Sequence, residues 1–278
     1  MDGDLSKGRV APLELYKCTP RTNCGQCGNP TCFAFATLVV TGREKIAACP
    51  FLDSERVRPL LGRLEEQFRS GIGLSREGFE KTMEFLLGEI QKCDLRVKAG
   101  SIGAKLVEGA GGAGLNLPYF NEVVLVTGSD VEKLSGGALS AWEKIFIFNY
   151  VIAGGAEPSG IWVGMESLPN SVSKIKSLKA HCEDVLAARF GGALESFSKA
   201  VSGWGREVRL EDQGVDYAAE FAVFPRLAIR VLFWDEEKEE GYAARVKFLF
   251  DSRVLQVLDI ESLLFACEQI VDRLGRNV

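Results

Sequence analysis

The sequence contains little of several features that define common protein classes. It has one histidine in 278 residues, so a histidine-based metal site or a Ser/His/Asp triad could use only His181. It shows no basic cluster, and its formal net charge of −5 gives no electrostatic footprint for nucleic acid. The polar start lacks the apolar core of a signal peptide, and the longest apolar-rich run, residues 141–156, is too short and too polar to cross a bilayer. We therefore predict a cytoplasmic protein without a nucleic-acid partner or membrane insertion.

Cysteine, in contrast, is plentiful and unevenly distributed. Five of the eight cysteines lie between Cys18 and Cys49, whereas Cys93, Cys182 and Cys267 are scattered. Cytoplasmic thiols stay mostly reduced, so a dense group of cysteines indicates a metal or redox site rather than disulfides.

Four of the clustered cysteines have a specific spacing. Cys24-x2-Cys27-x4-Cys32 is followed, after sixteen residues, by Cys49 and a proline. Four thiolates are what a cubane 4Fe–4S cluster needs, one for each iron, and Cys-Pro also ends the bacterial ferredoxin motif. The spacing favours Cys24, Cys27, Cys32 and Cys49 as ligands of a 4Fe–4S cluster.

The residues between these cysteines suit a tight loop followed by a helix. Gly25 and Gly28 permit unusual backbone angles and leave N–H groups free to approach sulfur. Asn29 is a good helix N-cap, Pro30 suits the first helical position, and Gly42 can end the helix.

Two alternatives to an iron–sulfur cluster remain open. Four thiolates can bind zinc, although structural zinc usually uses two C-x2-C pairs, and the cysteines could also be unrelated buried thiols. Cys18 is a candidate fifth thiol near the cluster, but burial as a small apolar residue is the favoured interpretation.

The stretch from about Leu13 to Leu52 resembles the iron–sulfur module of the corrinoid iron–sulfur protein large-subunit family. The resembling segments are LELYK (13–17), TNCGQCGNPTC (22–32), AFA (34–36) and ACPFL (48–52). In that family the four matching cysteines bind a 4Fe–4S cluster, and the module reduces inactive cobalt(II) to cobalt(I). The resemblance covers about a fifth of the chain and implies a corrinoid-dependent context.

The sequence after the iron–sulfur module indicates a second domain. We assign residues 1–60 to the iron–sulfur module, 61–75 to a helical connector and linker, and 76–278 to a larger domain. Apolar periodicity predicts helices at about 57–68, 76–92, 138–155, 173–190, 191–203 and 260–274. The region from Leu95 to Val131 is strand-like, and further strands are expected at 219–225, 227–235 and 244–251, the last two joined by an acidic loop.

The predicted fold class is α+β, with a small helical module and a larger domain of antiparallel sheet and packed helices. This larger domain also resembles one of unknown function that follows the iron–sulfur module in proteins of anaerobes. The resembling stretches are residues 138–155, 224–235 and 248–264. That resemblance implies a shared fold and assigns no activity.

Other candidate sites are weaker. GAGGAG (109–114) lacks the Lys-Ser/Thr of a phosphate loop, and a hairpin turn explains it better. The run from His181 to Asp184 is consecutive on a predicted helix, so its side chains diverge, and a solvated face is favoured. Arg226 could bind an anionic ligand, but a surface arginine after a proline turn is the favoured interpretation.

Four protein thiolates leave no open iron position, so the cluster favours electron transfer over Lewis-acid catalysis. We expect single electrons to pass to a redox partner, which the resemblance suggests is a corrinoid protein, or to a cofactor such as a corrinoid in the second domain. The alternative is a ligand- or protein-binding accessory protein with a structural cluster. The sequence contains no recognisable set of catalytic residues that would identify an enzyme.

Overall fold

The computed structural model describes residues 10–40, 42, 44–69, 76–109, 112–210, 214–237, 239 and 241–275. The chain forms two compact units. The first consists of Met1–Leu86 with Leu139–Ile145, and the second of Leu87–Ala138 with Phe146–Val278. Helices accompany antiparallel sheets, and the described strands all belong to the second unit, so the predicted α+β class is confirmed.

The first unit is helical in its described residues. Helix α1 spans Pro12–Tyr16, α2 spans Cys32–Val40 and α3 spans Ser54–Arg69, while α4, Arg76–Lys92, begins in this unit. One apolar cluster of buried side chains joins α1, α2 and α3: Val10, Leu15, Cys18, Phe35, Ala36, Val39, Val40, Cys49, Val57, Leu60 and Leu64. Helix α3 therefore packs into the same core as the cysteine-containing segment.

Polar contacts, buried at Gln67 and partly exposed between Arg63 and Glu14, also stabilise this small core. The Gln67 side chain accepts a hydrogen bond from the Val10 N–H at 2.8 Å and donates one to the Val40 carbonyl at 3.0 Å. Arg63 on α3 forms an ion pair with Glu14 on α1 at 2.9 Å. The Gln67 contacts join the start of the described chain to the ends of α2 and α3. Polar contacts therefore add to the apolar packing between these helices.

The second unit contains two antiparallel sheets. Strands β1 (Lys105–Gly109), β2 (Gly112–Tyr119), β3 (Glu122–Val126) and β4 (Val131–Lys133) form the first sheet in that order. The second has the order β5-β9-β8-β7-β6, from β5 (Trp162–Gly164), β6 (Arg206–Glu207), β7 (Tyr217–Phe224), β8 (Leu227–Trp234) and β9 (Arg245–Asp251). Burial alternates along β9, as expected for a sheet with one covered face.

Helices complete the second unit. They are α5 (Leu95–Ile102), α6 (Ala141–Ala153, which begins in the first unit), α7 (Val172–Leu178), α8 (Asp184–Phe190), α9 (Leu194–Ser202) and α10 (Ile260–Gly275). Tyr150 of α6 stacks on Phe224 with ring centroids 4.1 Å apart. Its hydroxyl donates to the Ile102 carbonyl at 3.0 Å and accepts from the Arg226 N–H at 3.1 Å. This one side chain therefore connects α5, α6 and the β7–β8 hairpin.

The strand prediction from Leu95 to Val131 is wrong for its first part, which forms α5. The Asp94 side chain accepts a hydrogen bond from the Arg96 N–H at 2.9 Å and caps the helix start. Gly103, with φ 73°, ends the helix in a left-handed conformation. These two local signals outweigh the strand-like composition of the segment.

The remaining predicted elements differ mainly at their ends. The long central helix spans Ala141–Ala153 rather than 138–155, and Gly154 follows it with φ 86°. Gly109 pairs with Gly112, so β1 and β2 form the predicted hairpin, although residues 110–111 lie outside the described residues. The predicted linker at 70–75 also lies outside them. Within the described ranges, no helix has the length and apolar character needed to span a bilayer.

Candidate metal centre

Cys24 and Cys27 lie on an irregular loop before α2. Gly25 and Gly28 adopt left-handed backbone angles, φ 72° and 79°, and the Gly28 N–H donates to the Gly25 carbonyl at 2.9 Å. A Cβ atom added to Gly28 would meet no atom within 4 Å, so the backbone angle rather than lack of space favours glycine there. The resulting turn leaves Cys24 exposed and Cys27 half-buried.

The beginning of α2 differs from the prediction. The helix starts at Cys32, and the Thr31 hydroxyl accepts a hydrogen bond from the Ala34 N–H at 3.0 Å, so Thr31 rather than Asn29 caps it. The Asn23 side chain accepts from the Cys32 N–H at 2.8 Å. Since Asn23 precedes Cys24, this bond joins the two ends of the ligand loop.

Asn29, predicted as the cap, instead faces the cysteines. Only 7% of it is exposed, and its amide nitrogen donates to the Cys27 carbonyl at 3.1 Å. The same nitrogen lies 3.8 Å from Cys27 Sγ and 3.3 Å from Glu44 Oε2. Asn29 and Glu44 therefore hold the middle of the ligand loop.

Cys49 approaches from the other side of the module. It follows a 3-10 turn at Ile46–Ala48, and it is 9% exposed at the edge of the apolar core. Burial raises the pKa of its thiol, and the neighbouring thiols of Cys27, Cys32 and Cys24 raise it further. The other three cysteines therefore contribute to the electrostatic surroundings of the Cys49 thiol.

The exposed side of this region is formed by the first part of the loop. Gly25, Gln26 and Gly28 are exposed, whereas Cys32 is only 6% exposed. The Gln26 N–H lowers the pKa of the Cys24 thiol, with a smaller contribution from a neighbouring threonine hydroxyl. A backbone N–H therefore already points at one of the sulfur atoms, as is common around iron–sulfur clusters.

The chemistry of the donor set fits an iron–sulfur cluster. Cys49 belongs to a small apolar core and Cys27 packs against it, while N–H groups lie next to the sulfur atoms of Cys24 and Cys27. Soft thiolates are the usual ligands of iron–sulfur clusters and also of zinc. Across the described part of the chain, no three His, Cys, Asp or Glu side chains are assembled as ligands of a single metal ion.

The other cysteines have structural surroundings. Cys18 is 6% exposed in the core of the first unit, and its thiol donates to the carbonyls of Glu14 and Arg56, so its predicted burial is confirmed. Cys93 is half-buried at the end of α4. Cys182 and Cys267 are fully buried in the second unit.

The predicted solvated face at residues 181–184 is wrong for two of its members. A π-helical turn, Lys179–Glu183, joins α7 to α8 and turns Cys182 into the core. Glu183 Oε1 accepts a hydrogen bond from the Phe248 N–H at 3.2 Å, and burial raises its pKa. The turn changes the angular positions on which a regular helix would place these residues.

Arg226 is less exposed than predicted. It lines a cavity of about 100 Å³ in the second unit together with Trp162, Pro158 and Val254. Its Nη1 donates to Glu157 at 2.8 Å, and its buried Nε has no hydrogen-bond partner in the described residues. Since a carboxylate of the chain already occupies one edge of its guanidinium, the structure adds no support for an anion site.

Two family models match different parts of the chain. A family model described as "Putative Fe-S cluster" matches residues 20–51, the segment that contains all four cysteines. A second model, "Domain of unknown function (DUF3786)", matches residues 94–273, which is well over half of the chain. The chain belongs to the DUF3786 family. Its DUF3786 domain comprises most of the second unit, and both resemblances recognised in the sequence are confirmed.

Curated relatives match only the module that precedes the DUF3786 domain. Acetyl-CoA decarbonylase/synthase complex subunit gamma 1 of Methanosarcina thermophila is 50% identical over 46 residues, 16% of this chain and 10% of that protein. The corrinoid/iron-sulfur protein large subunit of Moorella thermoacetica is 48% identical over 40 residues, 14% and 9% of the two chains. The match thus spans about a tenth of these relatives. No solved structure is significantly similar to the chain.

Sequence reasoning missed Asn29 and Glu44 as neighbours of the cysteines. For Asn29 a signal was present, because an asparagine two residues after a cysteine can hydrogen-bond back to it. Glu44 carries no comparable local signal, since it lies fifteen residues further along the chain.

Proposed function

We propose that Cys24, Cys27, Cys32 and Cys49 bind a 4Fe–4S cluster and that the protein transfers single electrons in anaerobic metabolism. The observation that carries this proposal is the packing of Cys27 and Cys49 in one small core, with the thiols of Cys24, Cys27 and Cys32 all influencing that of Cys49. A cubane cluster held by four thiolates supplies one-electron transfer at closed iron sites. The family model on residues 20–51 supports an iron–sulfur cofactor.

The polypeptide contributes orientation and shielding. The Asn23–Cys32 hydrogen bond closes the loop, and the left-handed glycines turn the backbone next to Cys24 and Cys27. The buried apolar core excludes water from the side next to Cys32 and Cys49. Excluding water on one side while leaving the other open suits a centre that exchanges electrons with a partner protein.

Electrons enter through the exposed side of the loop. Gly25, Gln26 and Gly28 are exposed and provide little side-chain bulk, so a partner can approach close to sulfur there. Gln26→Trp should slow electron exchange with the partner without changing iron content. Equal exchange rates for the two proteins in stopped-flow reduction would place the entry point elsewhere.

The cluster assignment is tested by anaerobic purification. We expect about four iron and four sulfide per chain and a reducible EPR signal. Cys27→Ala should lose or convert the cluster, whereas the matched variant Cys93→Ala should retain it, because Cys93 lies outside the ligand spacing. Stoichiometric zinc without sulfide, or full cluster retention by Cys27→Ala, would refute the assignment.

The partner we propose is a cytoplasmic corrinoid protein. Support comes from the names of the matched relatives, a corrinoid/iron-sulfur protein and subunits of an acetyl-CoA decarbonylase/synthase complex. Mixing the reduced protein with a cobalt(II) corrinoid protein should convert its visible spectrum to that of cobalt(I). Apo-protein lacking the cluster is the control. A spectrum that stays at cobalt(II) would exclude this partner.

A further inference from the structure

Glu44, Asn29 and Cys27 form a hydrogen-bonded chain beside the cluster site. The amide nitrogen of Asn29 lies 3.3 Å from Glu44 Oε2, 3.1 Å from the Cys27 carbonyl and 3.8 Å from Cys27 Sγ. Ionised carboxylates and carbonyls only accept hydrogen bonds, so the amide must direct its nitrogen and not its oxygen towards them. The orientation of Asn29 follows from its partners.

The burial of Asn29 and the partial burial of Glu44 strengthen their electrostatic effect on the Cys27 sulfur. Asn29 is 7% exposed and Glu44 is half-buried, so water screens their interaction with sulfur only in part. Hydrogen bonds to cluster sulfurs and nearby charge are among the factors that set the reduction potential of an iron–sulfur centre. Asn29 supplies a hydrogen bond to Cys27, and Glu44 supplies a negative charge next to Asn29.

The two neighbours act in opposite directions. Reduction adds an electron, and the extra negative charge spreads onto the thiolate sulfurs. An N–H donor at Cys27 Sγ stabilises that charge and raises the potential, whereas the Glu44 carboxylate repels it and lowers the potential.

We propose that Asn29 and Glu44 are positioning residues that set the cluster's reduction potential with opposite signs, coupled through the Asn29 amide. This inference rests on the proposed cluster binding and deepens it. Glu44 holds the amide at Cys27 through one of its two hydrogens, while the other remains directed at the Cys27 carbonyl and sulfur.

The test is an anaerobic redox titration followed by EPR, with iron and sulfide measured on each protein. Asn29→Ala removes the donor and should lower the midpoint potential. Glu44→Gln removes the charge but keeps the side-chain size, so it should raise the potential. We expect each change to alter the equilibrium constant for one-electron reduction about three- to tenfold, and tenfold corresponds to about 59 mV.

Two further variants sharpen the result. Glu55→Gln is the matched control, because Glu55 is an exposed carboxylate of the same module that pairs with Arg58, and it should leave the potential unchanged. In the double variant of Asn29→Ala and Glu44→Gln, the rise caused by the Glu44 change should be at least as large as in the wild type, because the direct repulsion remains while the amide that Glu44 holds is gone.

The outcomes separate the two proposals. Wild-type protein without iron and sulfide would refute cluster binding itself. Loaded and reducible variants whose potentials all equal that of the wild type would refute the present inference and leave cluster binding intact. If the Asn29→Ala protein does not bind a cluster, the Glu44→Gln protein still tests the inference. An unchanged or lowered reduction potential in that variant would contradict the proposed effect of Glu44.

Discussion

The side chain of Asn23 and the backbone N–H of Cys32 are joined by a hydrogen bond of 2.8 Å that closes the ligand loop. Asn23 itself has a left-handed backbone, φ 50°, a conformation that asparagine and aspartate adopt more readily than other residues with a side chain. One residue therefore supplies both the bend and the bond that bring Cys24 towards Cys32.

Asn23→Ala should accelerate cluster loss. It removes a hydrogen bond worth about 1 kcal/mol, and alanine tolerates the left-handed conformation less well than asparagine, which costs about 1 kcal/mol more. We expect a several-fold faster decay of the cluster absorbance under a chelator. Asn23→Asp keeps both the acceptor and the backbone preference, so decay as fast as in the alanine variant would contradict this explanation.

Cys18→Ala should keep its cluster and lose stability. The thiol is buried, and it donates to two backbone carbonyls rather than pointing to the other cysteines. Removing it leaves a small cavity and deletes the thiol's hydrogen bonds, at a cost of about 1–2 kcal/mol. Iron analysis and denaturant unfolding of the holo-protein measure the two effects. A fall in iron content with unchanged unfolding would instead make Cys18 a ligand.

Tyr150→Phe should destabilise the second unit by about 1–3 kcal/mol. The change preserves the stacking on Phe224 but leaves the Ile102 carbonyl and the Arg226 N–H without the hydroxyl. Burial raises the pKa of Tyr150 to about 12. Denaturant unfolding compares it with Tyr242→Phe, an exposed position expected to be neutral. Equal stabilities of both variants would show that these hydrogen bonds contribute nothing.

Glu220→Gln should destabilise the protein in a pH-dependent manner. Burial raises the pKa of Glu220, but Arg206 and Arg230 lower it more, so its net pKa lies below the ordinary value. A lowered folded pKa adds stability above the unfolded pKa, and this stability disappears as pH falls through the folded value. We expect the variant to lose about 1–2 kcal/mol of its free energy of unfolding at pH 7, and to differ less from the wild type below about pH 4.

Unfolding curves at several pH values test this dependence. Glu55→Gln serves again as the control, because its exposed ion pair should contribute little at any pH. A loss for Glu220→Gln that is constant from pH 7 to pH 3 would show that shape rather than charge matters at this position.

The sequence pointed to an iron–sulfur segment that a family model also matches, since cysteine spacing is a local pattern with few structural explanations, and the four ligands stay a prediction. Helices α3 and α10 and the β7–β9 strands were predictable for a similar reason, because their apolar residues repeat with one period over many positions. The start of α5 was missed because a single Asp94 cap outweighed the strand-like composition around it.

Contacts between distant segments were not predictable from local patterns. The pairing of Asn29 with Glu44 depends on how the chain returns after α2, and the burial of Glu183 depends on a π-helical turn. Neither contact corresponds to a periodic pattern in the sequence, because each requires two segments to meet in space.

The burial of Cys49 at the edge of a small core has a consequence for the folding of the module. A cluster bound to Cys24 and Cys49 would cross-link chain segments that are far apart in sequence, much as a disulfide does, and would restrict the unfolded ensemble. Few buried side chains otherwise hold these helices together, and domains of this size often need such a cross-link. Loss of iron and unfolding of the module would then be a single cooperative transition, so oxidative damage at the exposed Cys24 would release the whole segment.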